Sequence, residues 1–175
     1  MGDFMTEQAI TYTTTIEQPR AHVWQILADF GNVSNISPGV KASRLTSSQE
    51  EVGLGTTRHC DLALFGATLD ERIVEWEERK LLGIDIYETS RLPIVKDQYA
   101  TFRLADEGDG TRLSATFRYR VGAGPVGRMM HAMVMRKQLD QGWRQFVAGI
   151  KLHAETGAVI ELRTEVPEQA AVLVP

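Results

Sequence analysis

The spacing of hydrophobic and polar positions changes twice along the chain, and the middle region has the period of β-strands. In the last run of that region Leu113, Ala115, Phe117 and Tyr119 alternate with polar residues. Such alternation predicts antiparallel strands with one face against a core and one face in solvent. Gly, charged and Asp-Gly positions separate the runs, as turns do. Six strands are predicted here, over Val40–Thr46, Thr56–Leu64, Ala67–Glu77, Leu81–Glu88, Gln98–Ala105 and Thr111–Val121.

Other elements are predicted on both sides of this region. The β-branched run Ile10–Ile16 favours a first strand, and Pro19 then begins a helix that Gly31 ends. Asn32–Pro38 predicts a second short helix or turn, and apolar residues at helical spacing predict one long helix over Val126–Thr156.

This element order predicts an α+β fold. Its short connections favour one seven-stranded antiparallel sheet wrapped around the long C-terminal helix, with two short helices after strand 1. The domain is expected over residues 9–156, after a polar leader at 1–8 and before a weakly patterned tail at 157–175.

The amino-acid composition disfavours some classes of binding partner. The net charge of the 175 residues is −4, which disfavours nucleic acid and anionic membranes. No apolar run approaches the ~20 residues of a membrane span, so integral membrane association is not expected. The single cysteine, Cys60, fits a reducing compartment, and we expect a cytoplasmic protein. A homodimer stays open.

The sequence contains partial matches to cofactor-binding and metal-binding motifs, but the residues around them do not support either kind of site. Gly122-Ala-Gly-Pro-Val-Gly127 matches a dinucleotide fingerprint, but Pro125 occupies its phosphate loop and the strand before it alternates. The four histidines lack metal-ligand spacing. No metal or cofactor is therefore expected.

Two charged residues fall on strand faces that otherwise point to the core. Glu71 lies between Leu69 and Ile73 on one face, and Arg58 shares a face with Cys60. Burying either charge alone costs several kcal/mol, so each needs a partner. Two interpretations stay open: a structural ion pair, or the polar handle of a ligand cavity between sheet and helix.

These residues resemble a known family. Val23-Trp24-x-x-Leu27-x-Asp29-Phe30, Gly55-Thr-Thr-Arg58, Leu69-Asp-Glu71-Arg72, Arg91-Leu92-Pro93-Ile-Val and Gly110-Thr-Arg-Leu113 are similar, in order and spacing, to signatures of the polyketide cyclase/dehydrase and lipid-transport-like proteins. That family has the START-like, or helix-grip, fold. The resemblance covers residues 9–156 and implies an apolar cavity gripped between the sheet and the long helix.

The resemblance, together with the strand faces, implies a set of ligand-binding residues that line this cavity. On the strand Gln98–Ala105 the inner face stays undecided, because Phe102 and Leu104 compete with the two members from that strand. The set is Arg58, Cys60, Leu62, Glu71, Ile73, Ile84, Ile86, Tyr99, Thr101, Ala115, Phe117, Tyr119 and Val134.

Three functional hypotheses follow. The first is a protein that binds a small hydrophobic or amphipathic ligand: a lipid, an isoprenoid or a polyketide-like aromatic. The second is a cyclase, aromatase or dehydratase with Glu71 as general acid/base, supported by Tyr99 or His59. The third is a chaperone-like or quinone-binding accessory protein that docks through the methionines between Met129 and Met135.

Overall fold

A computed structural model describes residues 6–91, 95–122, 124–162, 164–167 and 170–174. Residues 1–5 of the predicted leader, residues 92–94 of one family signature and four positions of the predicted tail lie outside this description.

The described residues form one antiparallel sheet of eight strands, in the order β2-β3-β4-β5-β6-β7-β1-β8. The predicted α+β class and the helix-grip arrangement are confirmed, with one strand more than expected. The strands are β1 (Thr6–Ile16), β2 (Val40–Leu45), β3 (Thr57–Leu62), β4 (Thr68–Glu77), β5 (Leu81–Thr89), β6 (Val95–Glu107), β7 (Gly110–Val121) and β8 (Val172–Val174).

The extra strand comes from the predicted tail. β8 pairs antiparallel with the edge of β1, matching Leu173 to Tyr12. Ile160, in the same segment, is completely buried, and its N–H donates to the Asn35 carbonyl at 2.9 Å. The apolar residues of this segment have no regular period, but Ile160 and β8 anchor it to the rest of the fold.

Two short helical elements cross from β1 to β2. α1 (Arg20–Ala28) buries Val23, Trp24 and Leu27, and a 3₁₀ segment follows at Phe30–Asn35. α1 begins after Pro19 and ends before the expected stop at Gly31, which lies inside the 3₁₀ segment.

The long C-terminal helix is interrupted. α2 (Gly124–Met130) runs through a π-helical segment at His131–Met135 into α3 (Arg136–Thr156). Gly157 ends α3 with a φ of 71°, a left-handed conformation that suits glycine. α3 packs on the concave face of the sheet, burying Val147 and Ile150, and the described core lies between them.

Candidate functional site

A cavity of about 200 Å³ lies between the concave face of the sheet and the N-terminal half of α3. Most of its wall is apolar. Strands β2 to β7, the 3₁₀ segment and the residues that follow it provide one side, and α3 provides the other. The lining residues are Val33, Ser37, Gly39, Val40, Arg58, Cys60, Leu62, Leu64, Leu69, Glu71, Ile84, Ile86, Gln98, Ala100, Phe102, Phe117, Gln138, Leu139, Gly142, Trp143 and Phe146.

Aromatic rings form one end of this cavity. The ring of Trp143 lies 5.6 Å from that of Phe102, 5.5 Å from that of Phe117 and 5.4 Å from that of Phe146. The indole N–H of Trp143 also donates to the Ala115 carbonyl at 3.1 Å, which ties α3 to β7. This cluster is therefore a rigid wall between helix and sheet.

The charged part of the cavity lining is an ion pair between Arg58 and Glu71, one of the two arrangements that the sequence suggested. Arg58 and Glu71 are cross-strand partners on β3 and β4, and each residue is 5% exposed. Nε of Arg58 lies 2.5 Å from Oε2 of Glu71, and Nη1 donates to the Phe30 carbonyl at 3.0 Å. The guanidinium carbon also lies 3.9 Å from the centre of the Phe30 ring. The pair is thus held on both sides.

Electrostatics keep the Arg58 guanidinium charged and the neighbouring Cys60 thiol neutral. Burial lowers the pKa of Arg58, but the Glu71 carboxylate outweighs that effect and leaves the pKa raised. Burial first, and then the Glu71 carboxylate, raises the pKa of the Cys60 thiol, whose Sγ lies 3.2 Å from Oε2 of Glu71. Cys60 is therefore not an activated nucleophile.

A polar row crosses the sheet beyond this pair. Glu71 pairs in register with Ile86, and Ile86 pairs with Gln98, so Arg58, Glu71, Ile86 and Gln98 lie side by side on four strands. Gln98 is 4% exposed. Across the cavity on α3, Oε1 of Gln138 is buried with no hydrogen-bond partner among the described residues. The site therefore carries a balanced ion pair and two neutral amides.

Seven of the thirteen predicted ligand-binding residues line this cavity. They are Arg58, Cys60, Leu62, Glu71, Ile84, Ile86 and Phe117. Three more are buried nearby without lining it: Ile73, Ala115 and Tyr119. The carbonyl of Ala115 accepts the hydrogen bond from Trp143, and the Tyr119 ring stacks on that of Phe117 at 5.2 Å.

The expected positions of Tyr99 and Thr101 were wrong because of the phase of β6. An irregularity in the pairing with β7 lies between Lys96 and Tyr99, and Asp97 there has a φ of 47°. After it Gln98, Ala100 and Phe102 line the cavity, whereas Tyr99 and Thr101 take the other face. The apolar period through Phe102 was the sequence signal for the correct phase.

The prediction for Val134 was also wrong. Val134 lies in the π-helical segment and is 53% exposed. The π turn changes the helical phase, so that residues of α3 line the cavity instead. Gln138, Leu139, Gly142, Trp143 and Phe146 have the i, i+1, i+4, i+5, i+8 spacing of one helix face, which was the signal for finding them.

The groups named for acid–base chemistry do not converge. Nδ1 of His59 lies 2.8 Å from Oδ1 of Asp70, and neither residue lines the cavity. The hydroxyl of Tyr99 donates to Oε2 of Glu75 at 2.5 Å on the outer face of the sheet. Glu71 thus has neither proposed helper beside it.

Three further observations concern metal binding, membrane crossing and exposed apolar side chains. The described residues contain no cluster of three or more His, Cys, Asp or Glu side chains that could hold a metal ion. Within the same described ranges, no helix has the length and hydropathy to cross a membrane. Met129, Met130 and Met133 are more than half exposed.

Comparisons with known proteins agree with this fold. The family model described as "Polyketide cyclase / dehydrase and lipid transport" matches residues 7–155. A search of curated proteins gave no sequence relative.

Solved structures of similar shape share little sequence with this chain. The crystal structure of Ara h 8.0201 has a TM-score of 0.63 at 13% identity, covering 85% of this chain and 98% of its own. TTHA0849 from Thermus thermophilus has a TM-score of 0.70 at 15% identity, covering 84% and 97%. Ginseng major latex-like protein 151 from Panax ginseng has a TM-score of 0.58 at 13% identity, covering 78% and 97%. At such identities the likeness concerns the fold alone.

Proposed function

This chain belongs to the polyketide cyclase/dehydrase and lipid transport family, and on that premise we propose that it binds a small apolar or amphipathic molecule between the sheet and α3. The observation that carries the proposal is the cavity of about 200 Å³, whose wall is apolar except for a few convergent polar groups. Ligand sites in proteins have this composition.

The energetics of packing support an occupant. An apolar wall of this extent favours an apolar occupant, because each methylene group that leaves water contributes about 0.8 kcal/mol. Small residues keep the space open where larger ones would fill it: Ala100 on β6 and Gly142 on α3 both line it. A Cβ added at Gly142 would meet no atom within 4 Å.

The expected affinity is modest. Burying about eight carbon atoms gains roughly 6 kcal/mol, and association costs offset part of that gain. Affinity in the micromolar range or weaker follows unless directed hydrogen bonds add to it.

Native mass spectrometry of the purified chain tests the proposal, with any bound molecule extracted and identified. Ala100→Leu fills the cavity from β6, and Ala105→Leu makes the same change at an exposed position of that strand. We expect a 1:1 complex in the wild type and in Ala105→Leu, and its loss in Ala100→Leu. A molecule retained equally by all three proteins binds elsewhere and overturns the proposal.

A further inference from the structure

The cavity's charges, its unpaired polar atom and its size together restrict the ligand more narrowly than the family does. Arg58 and Glu71 are the only charged residues among the described lining residues, and they neutralise each other at 2.5 Å. A ligand anion beside Arg58 would be repelled by the buried Glu71 carboxylate, which already holds the Nε–H of the guanidinium. The site therefore favours a neutral ligand.

The unpaired polar atom defines what that ligand must offer. Oε1 of Gln138 is a buried acceptor with no partner among the described residues. Gln98 is 4% exposed and contributes a second neutral amide to the opposite wall. Buried polar groups are rarely left unpaired in proteins, so a ligand donor at Gln138 would complete the site.

The volume of the cavity limits the size of the ligand. An engineered cavity of about 150 Å³ holds one benzene molecule, so about 200 Å³ accommodates one ring with roughly two to four further atoms. The aromatic end formed by Phe102, Phe117 and Trp143 suits the faces and edges of such a ring. An extended acyl chain or a fused polycyclic ring would project beyond this volume.

We propose that the ligand is a neutral single-ring molecule with a hydroxyl group, of the phenol or cyclic alcohol class, whose hydroxyl donates to Oε1 of Gln138. The amide of Gln98 provides a second hydrogen-bonding position for a further substituent. This inference rests on the proposed function, because it describes the occupant of the same cavity.

Four probes separate the three parts of this proposal. 4-Ethylphenol and 4-ethyltoluene have the same shape and differ in one hydroxyl against one methyl group. 4-Ethylbenzoate adds a negative charge, and dodecan-1-ol keeps a hydroxyl on a chain too long for the cavity. Isothermal titration of each probe into the full chain gives affinity and stoichiometry.

Variants on α3 assign the hydrogen bond. Gln138→Leu removes the acceptor, and Gln145→Leu is the matched control because Gln145 lines a groove against residues 162 and 164–167 instead of the cavity. We expect 4-ethylphenol to bind the wild type about 5- to 10-fold more tightly than 4-ethyltoluene, as one hydrogen bond allows. That preference should disappear in Gln138→Leu and persist in Gln145→Leu.

Each contrary result overturns one part of the proposed ligand description: the hydrogen bond, the neutral charge or the size. Equal binding of phenol and hydrocarbon by the wild type excludes the Gln138 contact. Tighter binding of 4-ethylbenzoate excludes a neutral ligand, and tighter binding of dodecan-1-ol excludes the size limit. In all three cases the chain still binds a small molecule, so the proposed function is not contradicted. Failure of all four probes overturns this inference, whereas the proposed function is decided by the Ala100→Leu experiment.

Discussion

Arg58 and Glu71 are direct cross-strand partners, with Nε and Oε2 2.5 Å apart in the interior between β3 and β4. Each group balances the charge of the other, so the wall of the cavity is polar without a net charge. This relationship decides how the site treats ligands and how the fold responds to substitution.

Replacing one member of the ion pair should lower the free energy of unfolding more than replacing both members. Arg58→Met leaves Glu71 buried without a counter-charge, and we expect a loss of about 3–5 kcal/mol in the free energy of unfolding. Adding Glu71→Leu should return stability to within about 2 kcal/mol of the wild type, because two apolar groups then face each other. Urea unfolding of the four proteins measures this cycle. Additive losses in the double variant would mean that the two side chains are not coupled.

Alanine substitutions at two glycines of α3 should have opposite signs. A Cβ at Gly142 meets open space, whereas a Cβ at Gly149 would overlap the carbonyl oxygen of Ile36. Gly142→Ala should raise the free energy of unfolding by up to about 1 kcal/mol through helix propensity. Gly149→Ala should lower it by about 1–3 kcal/mol, since α3 must move away from the 3₁₀ segment. Thermal melts would contradict this packing if both variants shift in the same direction.

The Cys60 thiol should resist alkylation. Burial and the nearby Glu71 carboxylate raise its pKa, and only the thiolate reacts. We expect iodoacetamide at pH 8 to modify the native chain at least about 100-fold more slowly than the urea-unfolded chain. Rapid modification of the native protein, read by intact mass, would show that the thiol is ionised and accessible.

Tyr99 should make stability sensitive to high pH. Burial, and then its hydrogen bond to Glu75, raises the pKa of Tyr99 to about 12. The unfolded chain has an ordinary tyrosine pKa of about 10, so the stabilising contribution is complete below pH 10 and is lost as the pH rises toward 12.

Urea midpoints between pH 8.5 and 11 test this contribution. The wild type should lose more stability over that interval than Tyr99→Phe, which has no phenol to ionise. Parallel losses in the two proteins would mean that Tyr99 titrates in the folded state as it does in the unfolded chain.

Much of the fold was predictable from the sequence because periodicity determines strand and helix faces. The alternation of Leu113, Ala115 and Phe117 placed β7 correctly, and the two charges on apolar faces identified the pair at Arg58 and Glu71. Strand pairing and burial then follow from one strong pattern per element.

The rest depended on local irregularities. The irregularity near Asp97 changes the phase of β6, and the π segment at His131–Met135 changes the phase of the C-terminal helix. Each irregularity shifts which side chains face the core, and a regular hydrophobic pattern does not reveal such a shift. Gln138 and Gly142 were missed for a related reason, since neither residue is apolar and only their spacing marks them as part of the cavity wall.

Methyl NMR spectroscopy tests the central claim most directly. With 4-ethylphenol added to the full chain, we expect saturable shifts at one molecule per chain and intermolecular NOEs to the methyl groups of Ile84, Ile86 and Leu139, which line the cavity. Ile160, buried outside the cavity, should show no intermolecular NOE and is the internal control. Shifts and NOEs confined to exposed methyl groups, such as those of Met129 and Met133, would contradict a binding site between the sheet and α3.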